Sequence, residues 1–370
     1  MTRRILLSLL GLALLALPRP AAAQVTPAAG STPPDDTQRV SVGAVIYYDY
    51  TFQTDPKVKD AAGNEVSFNN FQVQRAYINI QGQLSHVVAF RITPDIARLT
   101  DGSLNGSQVF RVKYAFAQFN LDQWTGSWKS TWMRMGVQQT PYIDFWEGIY
   151  RYRFQGTTFI ERVGSASSSD AGISFHSNIP NNYGDFHVGI YNGENYGAAE
   201  VNNEKGFEVR GTLRPFGRGS ANARGLRVTG FWINDAPVQN GRRDRAVFDA
   251  SYEHKYFTFG YEYLNRNDQA LPTSTDVNAK GWSIFFTPFF KEKNHGPEML
   301  IRYDDYKADD TKDVIQKRTI VGFAWWFAHP GGNATAALLF DYDGLTFSGS
   351  QVTVANVDNK KWALHGLINF

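Results

Sequence analysis

Between Gln139 and Ser167 the chain mixes aromatic and charged side chains, reading TPYIDFWEGIYRYRFQGTTFIER from Thr140 to Arg162. Six charges sit in this stretch: Asp144, Glu147, Arg151, Arg153, Glu161 and Arg162. In water its aromatics would form an unfavourable apolar patch. Folded inside a wide barrel, Phe145, Trp146, Tyr150 and Phe154 would pack on the wall, and the six charges would line a narrowed aqueous path. The alternative is an outward loop packed on neighbouring loops or on another subunit.

A second set of charges follows a period of two along the chain. Arg75, Arg91, Arg111, Lys113 and Arg134 fall on the polar faces of early alternating segments. Asp249, Glu253, Glu262, Asp304 and Asp341 fall on the polar faces of later ones, with Arg302 an exception. If the chain closes into a ring, the early segments lie opposite the later ones, and a basic wall faces an acidic wall. Charges set across a low-dielectric-walled gap produce a transverse field that passes water and small dipolar solutes and disfavours large apolar ones. The competing reading is ordinary pairing of these charges with neighbours on adjacent strands.

Other chemistry is weakly signalled. The seven histidines show no metal-ligand spacing. The run Asp304, Asp305, Asp309, Asp310 and Asp313 has the oxygen donors for a divalent cation but reads first as a solvated acidic loop. His176 beside Ser174 and Ser177 offers a hydrolase constellation, yet spacing alone arranges no nucleophile and base. Gly217-Arg218-Gly219 lacks the strand–helix unit of a phosphate cradle. Cysteine is absent, which removes disulfides and thiol chemistry. No cofactor and no metal is implied.

The elements that must hold these residues are strands. Val88, Phe90 and Ile92 alternate with Ala89, Arg91 and Thr93, and Phe110 to Ala117, Phe257 to Leu264 and Leu338 to Tyr342 are as regular. Extending this reading gives sixteen strands, near 40–53, 70–84, 87–98, 109–121, 128–138, 168–177, 184–192, 206–215, 225–234, 244–254, 256–266, 279–290, 297–306, 316–327, 334–342 and 361–370. Gln351–Ala355 is a further candidate for pairing. Alternate connections are long, among them 54–69, 139–167 and 343–360. The others are mostly short, such as Ser85-His86, Lys255 alone and Ala328–Asn333. That layout fits an antiparallel transmembrane β-barrel with long outer loops. Aromatics make up 15% of residues, mean hydropathy is −0.36, and no apolar run after Pro18 approaches the roughly 18 residues a spanning helix needs.

Both ends agree with export. Arg3 and Arg4 head an apolar run to Pro18, and Ala21-Ala22-Ala23 forms a small-residue exit, so residues 1–23 read as a signal peptide. Residues 24–39 are rich in Pro, Ala and Thr and read as a flexible lead-in to a barrel over 40–370. Losing Arg3, Arg4 and Arg19 brings the formal charge of +2 close to neutral, so no basic field invites nucleic acid. From Lys361 to Phe370, Trp362, Leu364, Ile368 and Phe370 alternate with Ala363, His365, Leu367 and Asn369, and this resembles the terminal strand of bacterial outer-membrane barrels.

One family resemblance is specific. Phe71–Pro94 with Asp95, and then Val112–Arg162, resemble the phosphate-selective porin group. The Arg75-Ala76-Tyr77 core before Gly82, Phe90-Arg91, and Arg134-Met135-Gly136 followed by Pro141 and Tyr150-Arg151-Tyr152-Arg153 carry the likeness. It implies a trimeric sixteen-stranded porin with its third loop folded inside. The expected function is passive diffusion of small hydrophilic solutes across the bacterial outer membrane, with anion or phosphate preference. The expected partners are lipid, lipopolysaccharide, small anionic or polar solutes and two further copies of the chain. An outer-membrane barrel hydrolase and a plugged structural or adhesin barrel are the alternatives, and channel conductance separates them.

Overall fold

Period-two alternation leaves one face of each segment apolar and the other polar, and a ring of such segments buries every backbone donor and acceptor without an edge. The computed structural model has that form. It describes residues 35–99, 102–103, 105–327 and 335–370. The signal-peptide reading of 1–23, most of the 24–39 lead-in and the short turn at 328–333 therefore fall outside the described residues.

The strands in chain order are β1 (Arg39–Asp55), β2 (Val58–Lys59), β3 (Glu65–Val66), β4 (Asn69–Gln83), β5 (Val88–Arg98), β6 (Gln108–Asn120), β7 (Lys129–Gln139), β8 (Ser169–Ile179) and β9 (Gly184–Tyr191). They continue as β10 (Gly206–Leu213), β11 (Leu226–Asp235), β12 (Arg242–His254), β13 (Phe257–Gln269), β14 (Val277–Pro288), β15 (Gly296–Lys307), β16 (Ile315–Phe327), β17 (Thr335–Ser348) and β18 (Asn359–Asn369). Two short helices, α1 (Ile143–Tyr150) and α2 (Phe159–Arg162), lie between β7 and β8.

Sixteen of these strands form one closed antiparallel barrel, β1 and β4–β18, while β2 and β3 make a small separate hairpin in the first long loop. Every strand expected from the sequence is present. β17 runs on to Ser348, six residues beyond its expected end, and Gln351–Ala355 joins no strand. The ring closes where β1 pairs with β18, Tyr50 opposite Leu364 and Tyr48 opposite Gly366. Phe370 and Ala44 exchange two backbone hydrogen bonds beyond the last of these pairs, at 2.9 and 3.0 Å. A Cβ on Gly366 would stand 2.1 Å from the Tyr48 ring, so the glycine leaves room for that ring to cover the seam.

The outward face is apolar. On β16, Val321, Phe323, Trp325 and Phe327 are exposed and alternate with buried Ile320, Ala324 and Trp326. On the last strand Trp362, Leu364, Ile368 and Phe370 are exposed, with Ala363, His365 and Leu367 buried between them. The exposed set meets lipid and the buried set faces the interior.

Candidate functional site

The segment after β7 departs from a plain loop because its apolar side chains recur at helical spacing. Ile143, Trp146, Ile149 and Tyr150 share the buried side of α1. The helix stops at Arg151, whose φ of 64° is left-handed and whose N–H bonds the Glu147 carbonyl. Its aromatics meet inward-facing side chains of the later strands. Tyr142 stacks on Phe231 at 4.9 Å, and Tyr150 meets Phe285 edge-on at 5.1 Å. Tyr152 and Phe154 flank Trp326, and Phe159 packs on Tyr306. Burying an aromatic side chain is worth about 1.5–3 kcal/mol, so this face alone favours docking over exposure.

Polar groups fix the register of the docked segment. Tyr142 donates to Glu262 at 2.9 Å, and both Tyr152 and Arg151 donate to Glu298 Oε2 at 2.9 Å. Arg210, Arg245 and Arg302 donate to the Pro141, Ser165 and Thr157 carbonyls at 2.7, 2.8 and 2.9 Å. The segment is thus fastened to the inner face of β10–β16. Its other side meets β6, where the Tyr114 hydroxyl donates to both oxygens of Asp144.

This docking decides which charges meet open space. A cavity of about 130 Å³ lies between Asp144, Glu147 and Arg153 on the segment and Arg91, Lys113, Tyr77 and Tyr114 on the wall of the early strands. Arg91 hydrogen-bonds Asn79 and Thr93 and lies 4.5 Å from the Tyr114 ring centroid. Lys113 sits 4.8 Å from the Tyr77 centroid. Neither cation pairs with a carboxylate among the described residues. Arg75 and Arg111 both clasp Asp95, at 2.8 and 2.9 Å. Arg134 is buried, stacked 3.9 Å from the Trp132 centroid and bonded to Gln118 and Gln139.

Arg153 pairs with Glu147 at 2.6 Å and lies 3.8 Å from Glu161. Glu161 lines a second, larger cavity of about 290 Å³. That cavity also touches Gly193, Asn195, Asp235 and Arg243, at the long-loop rim of the barrel. The Glu147–Arg153–Glu161 cluster therefore stands between the two cavities, Glu147 and Arg153 lining one and Glu161 the other. Burial pushes Glu147 up to about 7, with Arg153 opposing the shift and Glu161 adding to it. Arg162 is drawn down to about 10 by burial and by Arg302 and Arg318 nearby, and it donates to Gln155 rather than to open solvent.

The later acids do not face the basic cluster across an open gap. Asp249 and Glu262 oppose each other on β12 and β13, and Glu262 accepts the bond from Tyr142. Glu253 is held by Arg227 and by Lys293, the latter at 2.6 Å. Asp304 takes a two-pronged bond from Arg302, both arms at 2.8 Å. Asp341 lies 3.3 Å from His365. The docked segment covers this side of the barrel, and the carboxylates on the cavity side belong to the segment itself. Glu298, Arg210 and Arg245 were missed as anchors, although alternation along β15 already sets Glu298 on the same face as Arg302 and Asp304. Ser174 donates to Gln138 and Ser177 bonds Thr131, so among the described residues neither hydroxyl meets the His176 ring, which bonds the Ser130 carbonyl.

Residues 40–255 match the family described as phosphate-selective porin O and P, more than half of the chain. The chain belongs to that family. Solved porin-type barrels are similar in fold. OmpT of Vibrio cholerae lacking its loop L8 has a TM-score of 0.62 at 13% identity, covering 90% of this chain and 100% of that one. An anion-selective porin from Comamonas acidovorans has a TM-score of 0.60 at 12% identity, with the same coverage. The trimer form of in-vitro folded Vibrio cholerae OmpT has a TM-score of 0.57 at 12% identity, again with that coverage. No curated protein matches the sequence. This porin is an outer-membrane channel for passive diffusion.

Proposed function

We propose that the channel passes small hydrophilic solutes with a preference for anions, phosphate among them, and that the docked third loop is its constriction. One observation carries the reading: Arg91 and Lys113 face the narrow cavity without carboxylate partners, opposite Asp144 and Glu147. A partly desolvated cation that is held in no direct ion pair raises the local anion concentration, even with carboxylates across the gap. Asp144, Glu147, Arg153 and Glu161 line the path beside them, while Arg75 and Arg111 add positive potential that Asp95 partly offsets. Arg151 and Arg162 act as loop anchors, and Arg134 shapes the wall. Asp249, Glu253, Glu262, Asp304 and Asp341 hold the loop and the later strands in register.

The anion-selective Comamonas porin and the trimer form of the Vibrio protein support anion preference and a homotrimer by analogy of fold. Residues 1–23 act as the export signal, and the exposed apolar belt is solvated by lipid and lipopolysaccharide. The protein works as a channel and not as a hydrolase or a plugged barrel.

Planar-bilayer recording across a potassium chloride gradient tests this. Large open steps and a reversal potential on the chloride side are expected. Lys113→Glu should move the reversal potential toward potassium. Conductance without any anion preference, or no effect of that reversal, would refute the assignment. Phosphate added to one side should reduce the chloride current.

A further inference from the structure

We propose that the outer cavity is a docking site for the cationic group of a small solute, an ammonium or guanidinium, received by Glu208. The cavity of about 290 Å³ opens at the long-loop rim, ahead of the constriction. Glu208 lies on the inward face of β10 and is 8% exposed. Its Oε2 is buried without a hydrogen-bond donor among the described residues.

The other charges lining the cavity are committed. Asp235 is held by Arg243 at 2.9 Å, and Arg245 by Asp268 at 2.9 Å. The carboxylate of Asp170 accepts the N–H groups of Ala171 and Gly193, both at 2.7 Å. Glu161 leans toward Arg153. The cations of the cavity are thus matched and the Glu208 carboxylate is left over. A buried carboxylate without a donor is costly, and a solute cation with several N–H groups supplies what is missing. A metal ion is a poorer occupant, because no three ligating side chains converge among the described residues.

The site goes beyond the anion preference of the constriction, because it selects the opposite sign at the mouth. A solute bearing a cationic group would be held there before meeting Arg91 and Lys113.

Saturation-transfer NMR on the full detergent-solubilised porin, with methylguanidinium as probe, tests the site without requiring an open channel. Saturable binding is expected in the wild type. Glu208→Gln should weaken it about tenfold or more, the loss expected when a charged hydrogen bond is removed. Glu208→Asp keeps the charge and should retain most of the binding. Glu200→Gln removes an acid paired with Lys205 on the exposed rim and should change nothing. Methylurea, neutral and of the same shape, should not bind. No saturation in the wild type, equal binding by Glu208→Gln protein that keeps its unheated gel mobility, equal loss in Glu200→Gln, or equal binding of methylurea would each overturn the proposal.

Discussion

Burial and two charged neighbours contend over the proton of Glu147. Burial favours its neutral form, Glu161 pushes the same way, and Arg153 at 2.6 Å pulls toward the anion, leaving the group near 7. Above that pH Glu147 is charged and offsets part of the field from Arg91 and Lys113. Below it the carboxyl is neutral and those cations act with less opposition. Anion preference should therefore rise as pH falls from 8 to 6, read as a shift of reversal potential in a salt gradient. Glu147→Gln should hold the acid-side value throughout that range. A wild-type reversal potential independent of pH would reject the role given to Glu147. The sequence displays every charge in this cluster, and alternation along the strands sets the parity of Arg91 and Lys113. It did not reveal which charges are neutralised, because that depends on contacts such as Glu262 to Tyr142 and Glu298 to Arg151, which join residues more than a hundred positions apart.

At the scale of elements, the clearest strands were legible because they alternate apolar with polar or small side chains, as Val88 to Thr93 does on β5, whereas Val321 to Phe327 on β16 is apolar on both faces. Their ends were less so: β17 continues through Asp343, Gly344 and Leu345, where polar residues interrupt the pattern. The helix α1 was hidden inside a segment read only as aromatic and charged, although Ile143, Trp146 and Tyr150 have the spacing of one helical face. Docking of that helix concentrates on Glu298, which takes donors from Arg151 and Tyr152 and also from the Asn294 backbone N–H. Removing one partner of a buried ion pair typically costs about 3–5 kcal/mol, since the other is left uncompensated. Glu298→Ala should loosen the loop without opening the barrel. Single-channel recordings should then show larger and noisier open currents, while unheated gel mobility stays that of the folded protein. Currents indistinguishable from wild type would mean that the aromatic contacts suffice to hold the loop.

For the whole molecule the decisive feature is closure, since an open edge at β1 or β18 would leave a row of backbone groups unpaired in lipid. The seam has a definite register, with Tyr50 opposite Leu364 and Ile46 opposite Ile368. The absence of cysteine lets that register be read chemically. Tyr50→Cys with Leu364→Cys places two thiols at directly opposed positions, a separation a disulfide can span. Tyr50→Cys with Ile368→Cys sets them four residues apart along the seam, roughly 13 Å, which it cannot. Oxidation of the folded protein should cross-link the first pair and leave the second free. Joining strands so distant in sequence restricts the unfolded chain by roughly 5 kcal/mol, so the first variant should also resist heat unfolding until it is reduced. Cross-linking of the offset pair in preference to the opposed one would mean that the seam slips. A slipped seam would change the stagger of the barrel and displace β1 and β4 against the docked loop, and the narrow cavity between them would no longer bring Lys113 and Arg91 to face Asp144 and Glu147.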